Sequence, residues 1–299
     1  MKGIVVKLAI VLLILVSIIS FVVFVPACTE FADITGLPGS GFFTGPYHDR
    51  ELRVSLSFDI EDLDDENETI SVPLILELLD KHKAKGTFFI TGKVAEKNPD
   101  LVRKIHSAGH ELGLHTHEHL FPLFNKSDAA LVASANSKSV ESIWTMSYRN
   151  QTAFYNSLKA NREALIKAVG DINISIFRSP CLIPRWAESP EYFGALNQFG
   201  ISVDSSYIQD FSYASTVRTI TEKYGITEVP VTKSDDILEI KHWGVISKMH
   251  EAGQPIVLFF HPKKFEQREI GKLDELLSGI ENRYKTVYLT IGDTANIYS

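Results

Sequence analysis

The chain has 299 residues, with 30 Lys+Arg against 37 Asp+Glu and a net charge of −7. Hydrophobic residues make up 44% and charged residues 22%, the composition of a folded globular protein rather than a disordered one. The acidic balance speaks against a nucleic-acid partner, which needs a basic footprint, and two cysteines, Cys28 and Cys181, cannot form a disulfide scaffold.

At the N-terminus, Lys2 and Lys7 precede an uncharged run of 22 residues, Leu8 to Thr29. As a helix this run would be ~33 Å long, enough for a ~30 Å hydrocarbon core. It has no polar face, so residues 1–29 are expected to be one transmembrane signal-anchor helix. Positive charge before the span, with Glu30 and Asp33 after it, puts the remainder outside the cytoplasm. The run Val25-Pro26-Ala27-Cys28 resembles a bacterial lipoprotein cleavage site, though Pro26 departs from that pattern. Four Asn-x-Ser/Thr triplets, at Asn67, Asn125, Asn150 and Asn173, are compatible with export. Residues 30–50, rich in Gly and Pro without periodicity, read as a linker, and 51–299 as the folded domain.

Period-2 alternation over 53–58 predicts a strand. Ser71-Val72-Pro73 looks like a hydroxyl cap with proline in the first turn, opening a helix to about Lys83. A strand follows at 87–90, then a helix opened by Asn98-Pro99 and ended at Gly109, then a strand at 111–114. Residues 127–169 read as two helices. Further strands are expected at 174–177, 201–203, 228–231, 237–240, 256–260 and 287–291, with a helix at 271–284. Strands alternating with helices imply βαβ units, a mainly parallel sheet, and a barrel or near-barrel in one α/β domain.

Ionisable residues collect where these strands end, which is where α/β folds build active sites. The first strand runs into Asp59-Ile60-Glu61-Asp62. The third runs into His115-Thr116-His117-Glu118-His119. The strand at 174–177 runs into Arg178-Ser179-Pro180, and that at 256–260 into His261-Pro262. Two histidine pairs have four-residue spacing. His106/His110 straddle a helix end and the approach to a strand, and read as structural. His115/His119 follow a strand end with carboxylates available, and read as metal ligands. In extended chain Asp59 and Glu61 point the same way, and their repulsion calls for a cation or an arginine. Two imidazoles and one carboxylate leave an open coordination position, as catalytic metal sites do, and such a site activates water for attack on a carbonyl.

Ser57-Phe-Asp-Ile-Glu61, Gly86-Thr-Phe-Phe-Ile-Thr-Gly92, Ala108-Gly-His-Glu-Leu-Gly-Leu-His115-Thr-His-Glu-His119, Phe177-Arg-Ser-Pro180 and Leu258-Phe-Phe-His-Pro262 together resemble the polysaccharide deacetylase family. These are the NodB-homology carbohydrate esterases, of the family 4 type. The resemblance runs from about Val54 to the C-terminus, with a divergent middle. It implies a distorted (β/α)7–8 barrel and hydrolysis of N-acetyl, less often O-acetyl, groups on a glycan. It implies Asp59 as general base held by Arg178, His115 and His119 as metal ligands, and His261 as general acid. The carboxylate ligand usually follows the base directly, where this chain has Ile60. Branches with Asp-x-Asp or Asp-x-Glu point to Glu61, with Asp62 as the alternative. The cofactor implied is a divalent metal, Zn2+ foremost. The partners are an acetylated glycan and, through the N-terminal helix, a membrane. For the aspartate that tunes the acid histidine and for the aromatic pocket, Asp204 and Trp243 are candidates. Other readings are an amidohydrolase-type C–N hydrolase using His115/His117, and a non-catalytic glycan-binding module.

Overall fold

The computed structural model describes residues 50–61, 66–185, 189–208, 221–239 and 242–298. The expected membrane segment and linker, apart from Arg50, lie outside these residues, as does Asp62. Among the described residues no helix is long and apolar enough to cross a membrane.

Strand β1 is Leu52–Ile60, and its two faces serve different layers. Leu56, Phe58 and Ile60 join the core beneath the helices. Ser55 and Ser57 face the other way and pair with Thr294 Oγ1 at 2.5 Å and the Leu258 carbonyl at 2.9 Å. Strands β2 (Gly86–Ile90), β3 (Glu111–Leu114), β4 (Ile176–Phe177), β5 (Val203–Asp204) and β7 (Ile226–Glu228) extend the sheet on one side of β1, and β8 (Ile256–Phe260) pairs on the other. All these pairings are parallel. The short β6 (Thr221–Lys223) is antiparallel to β7, and β9 (Thr286–Leu289) joins β1 at Leu52–Ser55. The sheet curls into a partial barrel. Beyond β7, Lys233 bridges to Leu258 of β8, and Thr232 N–H donates to the Val257 carbonyl at 2.7 Å. Phe89, Val203, Val229, Val231, Val257 and Phe259 fill the concave interior.

The helices follow their sequence signals with instructive exceptions. Helix α1 is Glu66–Lys81, so Pro73 lies inside it rather than at its first turn. Ser71 is no cap: its buried hydroxyl donates to the Pro262 carbonyl at 2.9 Å. Helix α2 (Gly92–Lys97) precedes α3 (Pro99–Ser107), where proline does occupy the first turn and Leu101, Val102 and Ile105 face the core. Residues 127–169 hold three helices rather than two: α4 (Lys126–Ala135), α5 (Val140–Thr145) and α6 (Gln151–Val169). Asn125 and Asn150, two of the Asn-x-Ser/Thr positions, are N-caps accepting from the amides of Asp128 and Ala153 at 2.9 and 2.8 Å. Helices α7 (Pro190–Phe199), α8 (Trp243–Ala252) and α9 (Gln267–Glu281) complete the outer layer. The strand expected at 237–240 is instead a 3-10 turn, Asp235–Leu238, whose apolar Ile237 and Leu238 are buried without strand pairing. Helix α10 (Ile291–Tyr298) follows β9 and closes the end of the sheet away from His115 and His119. Its first amides donate to Thr87 Oγ1 at 2.8 Å and Glu111 Oε2 at 3.1 Å.

Candidate active site and metal centre

Strand register decides which chain ends meet. Phe58 pairs with Phe260, so Asp59 and His261 follow side by side on adjacent strands. Leu114 pairs with Phe177, which sets His115 beside Arg178. Side chains far apart in the sequence are thus delivered to one rim of the sheet.

Arg178 is wholly buried, and Asp59 is 3% exposed. Its Nη1 donates to Asp59 Oδ1 at 2.7 Å, Nη2 to Ser205 Oγ at 2.9 Å and Nε to the Ser205 carbonyl at 3.0 Å. Burial pushes the guanidinium pKa down, and the Asp59 carboxylate opposes it. The guanidinium carbon also stands 4.2 Å from the Phe89 ring centre, an additional cation–π contact. Gly113 makes room for that ring: a Cβ there would lie 2.5 Å from Phe89 Cδ1.

Glu61, His115 and His119 bring their ligand atoms within 4.8 Å of one another. Glu61 Oε2 is 2.7 Å from His119 Nε2 and 3.6 Å from His115 Nε2. His115 Nδ1 lies 2.8 Å from the Arg178 carbonyl, an acceptor only, so Nδ1 carries the proton and Nε2 offers a lone pair. Both Nε2 atoms are buried and neither makes a hydrogen bond. Lone pairs converging on a carboxylate oxygen, without donors to satisfy them, fit a divalent cation.

The loop that carries the histidines is fixed by its backbone. The amides of Gly92 and Lys93 donate to the carbonyls of Thr116 and His117, both at 3.1 Å. Thr116 and His119 each hold φ at +60°, an uncommon conformation for side-chain-bearing residues that these bonds help maintain. At Gly92 a Cβ would sit 2.0 Å from His117 Nδ1, so only glycine lets the loop approach this closely. Asn161 and Ser157 of α6 brace the same loop. Asn161 accepts from the His115 amide at 2.9 Å and donates to the Ile90 carbonyl at 2.9 Å, and Ser157 Oγ accepts from the His117 amide at 2.8 Å. Their signal in the sequence is two polar residues at i, i+4 on a helix face otherwise filled by Phe154, Leu158 and Leu165.

The partner of His261 is Asp235, which sequence reasoning missed. Asp235 Oδ1 accepts from the His261 amide at 2.9 Å, and Oδ2 lies 2.7 Å from His261 Nδ1. Burial alone would lower the His261 pKa. The bond to Asp235 outweighs it, aided by the charges of Asp59 and Glu61, and the net shift is upward. Asp235→Asn should therefore lower that pKa. If activity needs protonated His261, the alkaline limb of the pH–rate profile should move to lower pH, and an unmoved limb would contradict the pairing.

Asp204 and Trp243 do other work. Asp204 is buried, pushed up to about 7 by desolvation, and its Oδ1 accepts from Ser206 at 2.5 Å and Tyr192 at 3.2 Å. Ser206 in turn accepts the Ser179 amide at 2.8 Å, so Asp204 supports the loop after Arg178 rather than His261. The Trp243 ring lies 4.1 Å from the Arg283 guanidinium carbon. His110 Nδ1 accepts from the Gly86 amide at 3.1 Å, and burial pushes its pKa down to about 4, the behaviour of a structural histidine.

The parallel α/β sheet has counterparts among known proteins. A solved structure of a candidate polysaccharide deacetylase from Mycobacterium smegmatis superposes with a TM-score of 0.62 at 18% identity, over 88% of this chain and 94% of that one, and shares its fold. Residues 48–185, just under half of the chain, match the sequence pattern of the polysaccharide deacetylase family. A peptidoglycan-N-acetylglucosamine deacetylase of Bacillus cereus is 42% identical over 77 residues, 26% of each chain. A second one from that organism is 35% identical over 95 residues, 32% of this chain and 42% of the relative. The chain therefore matches less than half the length of these curated relatives.

Proposed function

We propose that the chain is a metal-dependent hydrolase that removes N-acetyl, and secondarily O-acetyl, groups from an extracellular or cell-surface glycan. The observation that carries this reading is the meeting of three units at one rim: Asp59 with Arg178, the Glu61–His115–His119 cluster, and His261 with Asp235. The names of the Bacillus cereus relatives make acetylated peptidoglycan sugars the first substrate class to test.

Glu61 Oε2 and the Nε2 atoms of His115 and His119 would hold the ion, Zn2+ foremost. When bound, it supplies Lewis-acid polarisation of the acetyl carbonyl and of the attacking water. Asp59 Oδ2 is the oxygen not engaged by Arg178 Nη1, and it takes the proton of that water. Arg178 fixes the carboxylate's orientation through a fully buried fork. His261 has Nδ1 engaged by Asp235, which leaves Nε2 to donate a proton to the departing amine. The amidohydrolase-type alternative gains no support from His117, whose Nε2 lies 3.7 Å from Glu96 rather than in the cluster.

Two coarser expectations extend the proposal. The bridge from Lys233 to Leu258 supports a distorted (β/α)7–8 barrel. The charge order around the apolar run supports residues 1–29 as a membrane anchor with the catalytic part outside; protease added to intact cells should digest that part, and its protection would contradict the topology. The experiment on function is incubation of the protein with N-acetylated glucosamine oligomers and peptidoglycan. Acetate and free amine should appear in equal amounts from at least one, and release from none would overturn the proposal.

A further inference from the structure

The 3-10 turn Pro262–Lys264 follows directly on His261 and carries two lysines. Its backbone is anchored by the buried Ser71 hydroxyl on the Pro262 carbonyl. Lys264 Nζ donates to Asp235 Oδ2 at 2.8 Å. Lys263 Nζ donates to Glu61 Oε1 in a short contact, with the lysine side chain 29% and the glutamate 10% exposed. The two oxygens of Glu61 therefore face different groups. Oε2 meets the imidazoles of His119 and His115, and Oε1 meets an ammonium.

We propose that Lys263 is an intramolecular counter-cation of the metal centre, which pairs with Glu61 and so sets the affinity for the divalent ion below what the three ligands alone would give. This rests on the reading of Glu61, His115 and His119 as the metal ligands. A carboxylate at 10% exposure without a cation would be costly in the ion-free protein, and the ammonium relieves that cost. With the ion on Oε2, two cations share one carboxylate and repel each other across it. Both effects act in one direction: the lysine stabilises the ion-free state and raises the energy of the loaded one. Opposing them is the steadier carboxylate that the Lys263 bond provides, and hydrogen bonds to a ligand can be worth ~10- to 100-fold in metal affinity. Here the ammonium bonds Oε1 and not the ligand oxygen Oε2, so the electrostatic effect is expected to win. Partial exposure of Lys263 moderates it. Because the ammonium sits on Oε1, the ligand oxygen is not blocked, and exchange of the ion needs no removal of the lysine.

The test is calorimetric titration of the metal-stripped protein with Zn2+, for wild type, Lys263→Met, Lys263→Arg and His119→Ala. Lys263→Met should bind on the order of tenfold more tightly than wild type, and Lys263→Arg should stay near it because the charge is kept. A misfolded variant would bind more weakly, so a gain cannot arise from lost structure. Unchanged or weaker binding by Lys263→Met overturns the inference; Lys263 then only steadies the carboxylate. Tighter binding by Lys263→Arg as well would also overturn it, since charge would not be the cause. Failure of wild type to bind Zn2+, or retention of full affinity by His119→Ala, would instead defeat the ligand assignment on which the inference rests.

Discussion

Replacing His261 by alanine is expected to lower the rate of N-deacetylation by ~10²–10⁴, the usual contribution of a positioned general acid. An amine leaves poorly unless it is protonated as the bond breaks, and His261 Nε2 is the group assigned to supply that proton. Acetyl-ester hydrolysis should suffer less, because an alkoxide leaves unprotonated more readily than an amine anion. Comparison of kcat for an amide and an ester of the same sugar separates the roles. Equal loss on both would make His261 chiefly an oxyanion stabiliser, and no loss on either would remove it from the reaction. Metal affinity should change little, since His261 is not among the three converging ligand groups.

His119→Ala should weaken Zn2+ binding on the order of 10²-fold or more, because two remaining ligands cannot hold an ion against water or a chelator. Activity should fall with it, and excess Zn2+ should restore it only in part. Stoichiometric Zn2+ surviving dialysis against chelator in this variant would refute the assignment. The companion pair Glu61→Ala and Asp62→Ala decides the carboxylate. Loss in the first and retention in the second is the expected pattern, since Glu61 Oε2 is the oxygen 2.7 Å from His119 Nε2.

How much of this could be read from the sequence depended on how local the signal was. The long strand ends were legible because a short apolar run followed at once by an ionisable residue needs only neighbouring positions. Asp59, His115, Arg178 and His261 all emerged that way, and register then brought them to one rim. Asp235 lacks that signal: Thr232, Lys233 and Ser234 separate it from the apolar Val231, and the chain before it pairs through isolated bridges such as Lys233 to Leu258 rather than a regular strand. The apolar Ile237 and Leu238 just after it favour a strand at 237–240, which leaves Asp235 in a connecting loop. Helix boundaries failed where tertiary contacts override capping chemistry. Ser71-Val-Pro is a sound start signal, yet Ser71 spends its hydroxyl on the Pro262 carbonyl, 191 residues away. The same limit hid Lys263 and Asn161. Each acts across the fold on a residue that no periodicity connects to it, Lys263 on Glu61 and Asn161 on the His115 amide.

The most direct test of the central claim, that the Glu61–His115–His119 centre and the Asp59–His261 pair act together as a glycan deacetylase, is acetate release after metal removal and return. The purified protein is stripped with chelator, assayed on an acetylated glycan panel, and assayed again after one equivalent of Zn2+. Release that is abolished by stripping and regained with the ion, in wild type but not in Asp59→Asn, is the result expected. Release that persists unchanged in the fully stripped protein, or that returns equally in Asp59→Asn, would contradict the account.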